Sequence, residues 1–148
     1  MASFDQKLRT LRLMEILLER TDDTHMLNAS ELCTILDQEY GISTDRRTIY
    51  TEMEILDKFG LDIQQKKGKN PGYYIGTRDF ELPELKLLVD AVQSSKFITE
   101  KKSKELITKL EKLCCRTDAA MLHINRNKAL LRKRISETRN EASSGKRT

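Results

Sequence analysis

The stretch ISTDRRTIYTEMEILDKFG, residues 42–60, sets two adjacent arginines beside hydroxyl-bearing side chains and a tyrosine. The guanidinium forks of Arg46 and Arg47 match the paired acceptors on a guanine edge or the oxygens of a phosphate. Ser43 and Thr48 suit phosphate contacts, because a hydroxyl and the free N–H groups of a helix start both donate to an anion. Tyr50 offers a ring and a hydroxyl to a base or a sugar, and Thr44, Thr51 and Lys58 complete the polar surface. Lys66, Lys67 and Lys69 crowd the turn KKGKNPG, where each can neutralise one phosphate and release its counterions. A helix dipole disfavours cations at its start, so Arg46 and Arg47 are out of place unless an anionic partner offsets the cost. The plainer reading makes the arginines a solvated face, packs Tyr50 on the domain and leaves the lysines as a soluble turn.

Chemistry of other kinds finds little support. His25 and His123 are the two histidines, and no HExxH, GxSxG or GxxxxGK pattern is present. Cys33, Cys114 and Cys115 are an odd set without CxxC spacing, which reads as small hydrophobes in a reduced compartment, not as a metal site or disulfide framework. Glu52 and Glu54 read as solvated or salt-bridged. The expectation is therefore no enzyme, no metal and no cofactor.

Bulk numbers set the frame. With 148 residues, 38% hydrophobic, the chain suits one compact domain with an appendage or two small domains. The net charge of +4 is unevenly spread: residues 116–148 hold nine Lys/Arg and three Asp/Glu, a local +6, which leaves 4 − 6 = −2 for residues 1–115. The basic excess is in the tail, which reads as partly disordered and either passive or weakly attracted to nucleic acid. No apolar run approaches the ~18 to 20 residues of a membrane span, and the N-terminus lacks an apolar signal segment, so a cytoplasmic location is expected.

The elements that must position the candidate residues follow from periodicity and caps. DQKLRTLRLMEILLER, 5–20, repeats Leu8, Leu11, Leu18 and Leu13, Ile16, Leu17 at helical spacing. Asn28 with Glu31 forms a capping box for a second helix ending at Gly41. The third helix runs from about Asp45 to Phe59, with Ser43, Thr44 and Asp45 as competing N-caps and Gly60 as its stop. Its apolar side carries Ile49, Met53 and Leu56. IQQ and YYI flank turn residues and predict a hairpin. Pro83 opens a fourth helix with Leu85, Leu88, Val89 and Val92 on one face, and Thr99 caps a fifth with Leu106, Ile107, Leu110 and Leu113. From about Asp118 the pattern weakens, with Asn125 and Asn127 interrupting it.

Three helices and a hairpin are the parts of a winged helix-turn-helix, so the expected class is mainly α, with residues 1–78 as the DNA-binding domain. Residues 79–115 then form a helical linker pair usable for dimerisation, and 116–148 the basic tail. In such a fold helix three, about 45–59, enters the major groove and the wing, about 63–75, touches the neighbouring backbone. The segments RLMEILLER, ASELCTILDQEYGIS, RRTIYTEMEILDKFG, GYYIG and FELPELKLLVDAVQSSKFIT together resemble the WYL-domain transcriptional regulators of bacteria, whose N-terminal winged helix is similar to that of DeoR-type repressors. The resemblance covers roughly residues 5–115. It implies DNA contact by Arg47 and Thr48 and core packing by Ile49. Thr51 and Glu52 stand where the family's third helix usually has Arg and Asp. Nothing after about His123 matches the sensor domain, and the chain reads there as a truncated, divergent or out-of-frame ending.

The expected function is a sequence-specific, double-stranded-DNA-binding transcriptional regulator at the bacterial nucleoid, acting as a homodimer without membrane association and with its effector unknown. A winged-helix protein-interaction adaptor without specific DNA binding is the alternative. A regulatory head of a larger enzyme would need catalytic residues that this chain does not contain.

Overall fold

A computed structural model describes residues 2–122 and positions 135, 138, 139 and 142. His123, Asn125, Asn127 and most of the basic tail lie outside the described residues. The architecture is mainly helical with one small antiparallel sheet. In chain order the elements are α1 (Ala2–Arg20), α2 (Ala29–Tyr40), α3 (Arg46–Phe59), β1 (Ile63–Lys66), β2 (Gly72–Ile75), α4 (Leu82–Ser94) and α5 (Glu100–Glu111), and residues 116–122 are helical as well. The chain divides into two compact units, Met1–Asp79 with Cys114–Arg116, and Phe80–Leu113 with Thr117–Thr148.

The first unit is built round one apolar core. Leu13, Ile16 and Leu17 of α1, Leu32 and Leu36 of α2 and Ile49, Met53 and Leu56 of α3 are buried together with Tyr73 and Ile75 of β2. Each fully buried Leu or Ile contributes roughly 1.5–3 kcal/mol relative to exposure. Leu11, expected on the apolar face of α1, is instead 56% exposed. The helix buries the narrower stripe through Leu13, Ile16 and Leu17, and Leu11 points away from it.

Local chemistry sets the boundaries. Asn28 accepts from the Glu31 amide at 2.9 Å while the Glu31 carboxylate accepts from the Asn28 amide at 3.1 Å, closing the capping box of α2. Gly41, at φ 65°, ends that helix in the left-handed region where a side chain would be strained. Of the three competing caps for α3, Asp45 takes the role: its Oδ1 accepts from the Thr48 amide at 2.7 Å.

The hairpin pairs Ile63 with Ile75 and Lys66 with Gly72. β2 is its buried strand and β1 its exposed one. On the other side of β2, Leu27 and Tyr73 exchange two backbone hydrogen bonds, at 3.1 and 2.7 Å. That single bridge joins the α1–α2 connection to the hairpin. Gly72 is required there, because a Cβ would sit 2.8 Å from the Met26 Cβ and 3.2 Å from the Leu27 carbonyl carbon. Thr21, fully buried, adds a second tie by accepting from the Ile75 amide at 3.2 Å and donating to the Leu17 carbonyl at 2.6 Å. Arg78 donates to the Leu18 and Thr21 carbonyls that end α1.

Cys114 and Cys115 are buried in the break between α5 and the 116–122 helix. The Cys115 thiol donates to Asp22 Oδ2 at 3.0 Å, and Arg116 pairs with Glu19, so residues 114–116 belong to the first unit. Burial alone would raise the Asp22 pKa, yet hydrogen bonds from Cys115, Thr24 and His25 outweigh it and hold the carboxyl well below the usual carboxylate range.

In the second unit α4 and α5 pack together, with Leu85, Val89 and Ile107 buried. Pro83 lies in the first turn of α4, and Thr99 caps α5 through the Lys102 amide. Leu113, expected on α5, falls beyond its last residue, Glu111, and is 44% exposed.

Candidate nucleic-acid interface

Whether α3 can present its polar side depends on how firmly the other side is held. Ile49, Met53 and Leu56 do this by apolar burial, and Glu52 adds a polar anchor. Its Oε1 accepts from Arg9 Nε at 3.0 Å and Nη2 at 2.9 Å, and its Oε2 from the Thr10 hydroxyl at 2.5 Å. Glu52 is 4% exposed. The acidic residue read from the sequence as solvated or salt-bridged is thus the buried partner of a pair joining α1 to α3.

At about 100° per residue the buried positions 49, 52, 53 and 56 define one side of α3, and the directions of Arg47, Thr51, Glu54 and Lys58 cluster opposite them. Arg46 and Tyr50 lie on the flank nearer Met53. All six are exposed, Tyr50 by 50%. Tyr50 lies near the core residue Tyr73, whose hydroxyl pKa is raised, first by burial and then by Tyr50.

The start of α3 is less free than the sequence suggests. The Thr48 amide, counted among possible phosphate donors, is committed to Asp45. Hydrogen bonds from the Thr48 backbone and side chain, then the charges of Arg47 and Arg9, hold the Asp45 carboxyl below its usual pKa. Asp45 therefore offsets part of the cost of placing arginines at this helix start. Thr44 is half-buried, and its hydroxyl is enclosed without a hydrogen-bond partner among the described residues. Ser43 is exposed. The Thr51 hydroxyl turns back on the Arg47 carbonyl at a long 3.4 Å.

Lys66 ends β1, and Lys67 and Lys69 occupy the connection to β2, where Gly68 adopts φ 130°. All three lysines are exposed. Among the described residues the ion pairs engage Arg9, Arg12, Arg20, His25, Lys102, Lys104 and Arg116, and none engages Arg46, Arg47, Lys58, Lys66, Lys67 or Lys69. Among the described residues the cations of α3 and the hairpin thus form no ion pair, although Arg47 lies close enough to Asp45 for its charge to be felt there.

His25 is exposed and hydrogen-bonds through Nδ1 to Asp22. Burial, and next Asp45, push the Cys33 thiol up, away from thiolate chemistry. No helix among the described residues is long and apolar enough to cross a membrane. Glu52, Thr21 and Leu27, which set the attitude of α3 and the hairpin, carry no periodic signal that marks them in the sequence. The chain matches no family model, no curated protein and no solved structure.

Proposed function

We propose that this chain is a sequence-specific DNA-binding transcriptional regulator of winged helix-turn-helix architecture, with α3 in the major groove and the 63–75 hairpin as a wing on the neighbouring backbone. The observation that carries the reading is the contrast across α3. One side is locked by Ile49, Met53, Leu56 and the Glu52–Arg9 pair, while the other exposes Arg47 and Lys58 and the flank exposes Arg46, none of them in an ion pair among the described residues. Unpartnered cations on a rigid helix are what an anionic groove requires. Lys66, Lys67 and Lys69 extend the same charge along the hairpin. The Leu27–Tyr73 bridge supports this reading by tying the connection before α2 to the hairpin.

Membership of the WYL-domain regulators, without their sensor domain, is part of this proposal and rests on the sequence resemblance. So is a homodimer. One helix reads few base pairs, and pairing two half-sites multiplies affinity. Leu87 on α4, 71% exposed, supports the α4–α5 unit as the pairing element. The adaptor reading draws instead on Ile55 and Phe59, 47% and 73% exposed on α3.

Fluorescence anisotropy with a selected duplex, repeated across a salt series, separates the two. DNA recognition predicts a steep fall of affinity with salt and loss of selectivity in the Arg46→Ala/Arg47→Ala variant. Selectivity unchanged by the double substitution would overturn the assignment of α3.

A further inference from the structure

We propose that Glu54 is a specificity-determining residue that selects a cytosine in the DNA site, about three base pairs from a guanine taken by Arg47. This rests on the DNA-binding reading above and adds the identity of a base to it. Glu54 shares the outermost stripe of α3 with Arg47, Thr51 and Lys58. It is exposed, and among the described residues no hydrogen bond or ion pair engages it, although Lys58 stands one turn further on. Two other carboxylates of this helix and its cap are accounted for: Asp45 caps the helix and Glu52 binds Arg9. Asp57 falls on the same flank of the helix as Arg46, about three turns further along.

A carboxylate on a face that meets DNA is repelled by phosphates and must be matched by base-edge donors. In the major groove those donors are the exocyclic amines of cytosine and adenine. Adenine sets the N7 acceptor beside its amine, which repels a second carboxylate oxygen, whereas cytosine N4 presents a donor alone. Arg47 and Glu54 are two turns apart and point the same way. Their separation along the axis is about 10 Å at 1.5 Å per residue, close to three base-pair steps at about 3.4 Å. A fork of donors and a carboxylate at that spacing fit two G·C pairs, one read through its guanine and the other through its cytosine.

The test is selection from a random-sequence duplex pool by the full chain, wild type and Glu54→Gln in parallel. Wild type is expected to enrich a site with the two G·C pairs at that spacing. Gln, which matches adenine through N6 and N7, is expected to shift the second position to A·T. Replacing that cytosine by adenine is expected to weaken wild-type binding about 10-fold and to leave the Gln variant unharmed. Because the base replacement is made in the DNA, it tests the wild-type protein without any substitution. Enrichment of one motif, with the same base at that position by both proteins, would overturn the role of Glu54 and leave DNA recognition standing. No enriched motif for wild type would overturn both.

Discussion

Removing Glu52 should loosen the whole candidate interface, because it is the polar link between α1 and α3. Glu52→Ala deletes three hydrogen bonds and leaves the Arg9 guanidinium, whose side chain is 16% exposed, without its partner. Breaking a buried ion pair from one side costs about 3–5 kcal/mol. Residual exposure lets water reach Arg9, so the lower figure of about 3 kcal/mol applies. A unit of about 80 residues has a net stability of roughly 4–12 kcal/mol, so the loss is a quarter or more of the total. Glu52→Gln, which keeps the volume and one acceptor, should cost about 1 kcal/mol. Replacing both partners, Arg9→Met with Glu52→Leu, should come close to neutral. The single variants Arg9→Met and Glu52→Leu close a cycle with wild type and the double variant; urea unfolding followed by far-UV circular dichroism should give a coupling of about 3 kcal/mol or more, since a one-sided break costs about 3 kcal/mol and the double is near neutral. A coupling below about 0.5 kcal/mol would refute the view that this pair fixes α3.

Gly72→Ala should destabilise the first unit by roughly 1–3 kcal/mol, since the new methyl meets Met26 and the Leu27 backbone; thermal melts and amide exchange at Leu27 and Tyr73 would check it, and an unchanged melt would deny the close approach. Asp22 has a depressed folded-state pKa, so its contribution is complete above its unfolded value near pH 4 and is lost progressively as pH falls towards the folded value. Asp22→Asn should therefore flatten the acid limb of a stability-versus-pH curve, and parallel acid limbs would contradict the hydrogen-bond account. Converting Lys66, Lys67 and Lys69 to alanine should weaken DNA binding alike for all sequences and lower the salt slope by about 1 per lysine in contact. A slope equal to wild type would remove the hairpin from the interface.

Much of the local structure was legible in the sequence because it is written in neighbouring residues. Asn28 with Glu31, Gly41 and Thr99 are caps whose partners lie within a few positions, Pro83 marks a first turn, and the hairpin strands are separated by recognisable turn chemistry. What could not be read is carried by pairs distant in sequence. Arg9 and Glu52 are 43 positions apart and Cys115 and Asp22 are 93 apart, so neither periodicity nor spacing connects them. Leu27 makes one bridge and has no alternating pattern to announce it. Leu11 illustrates a different limit: helical spacing shows that an apolar face exists, but which part of a wide face is covered depends on where the other helices pack. Of the candidate site, the exposed cations of α3 and the hairpin were visible as residue types. The enclosure of Thr44 and the use of the Thr48 amide by Asp45 were not, because both depend on which of three adjacent caps is chosen.

The most direct test of sequence-specific recognition by α3 is recovery of the genomic fragments bound by the full chain in cells, with wild type and the Arg46→Ala/Arg47→Ala variant compared. Wild type should return fragments that share one motif, and the variant should return fragments without it. Fragments with no common sequence, or the same motif for both proteins, would contradict the account.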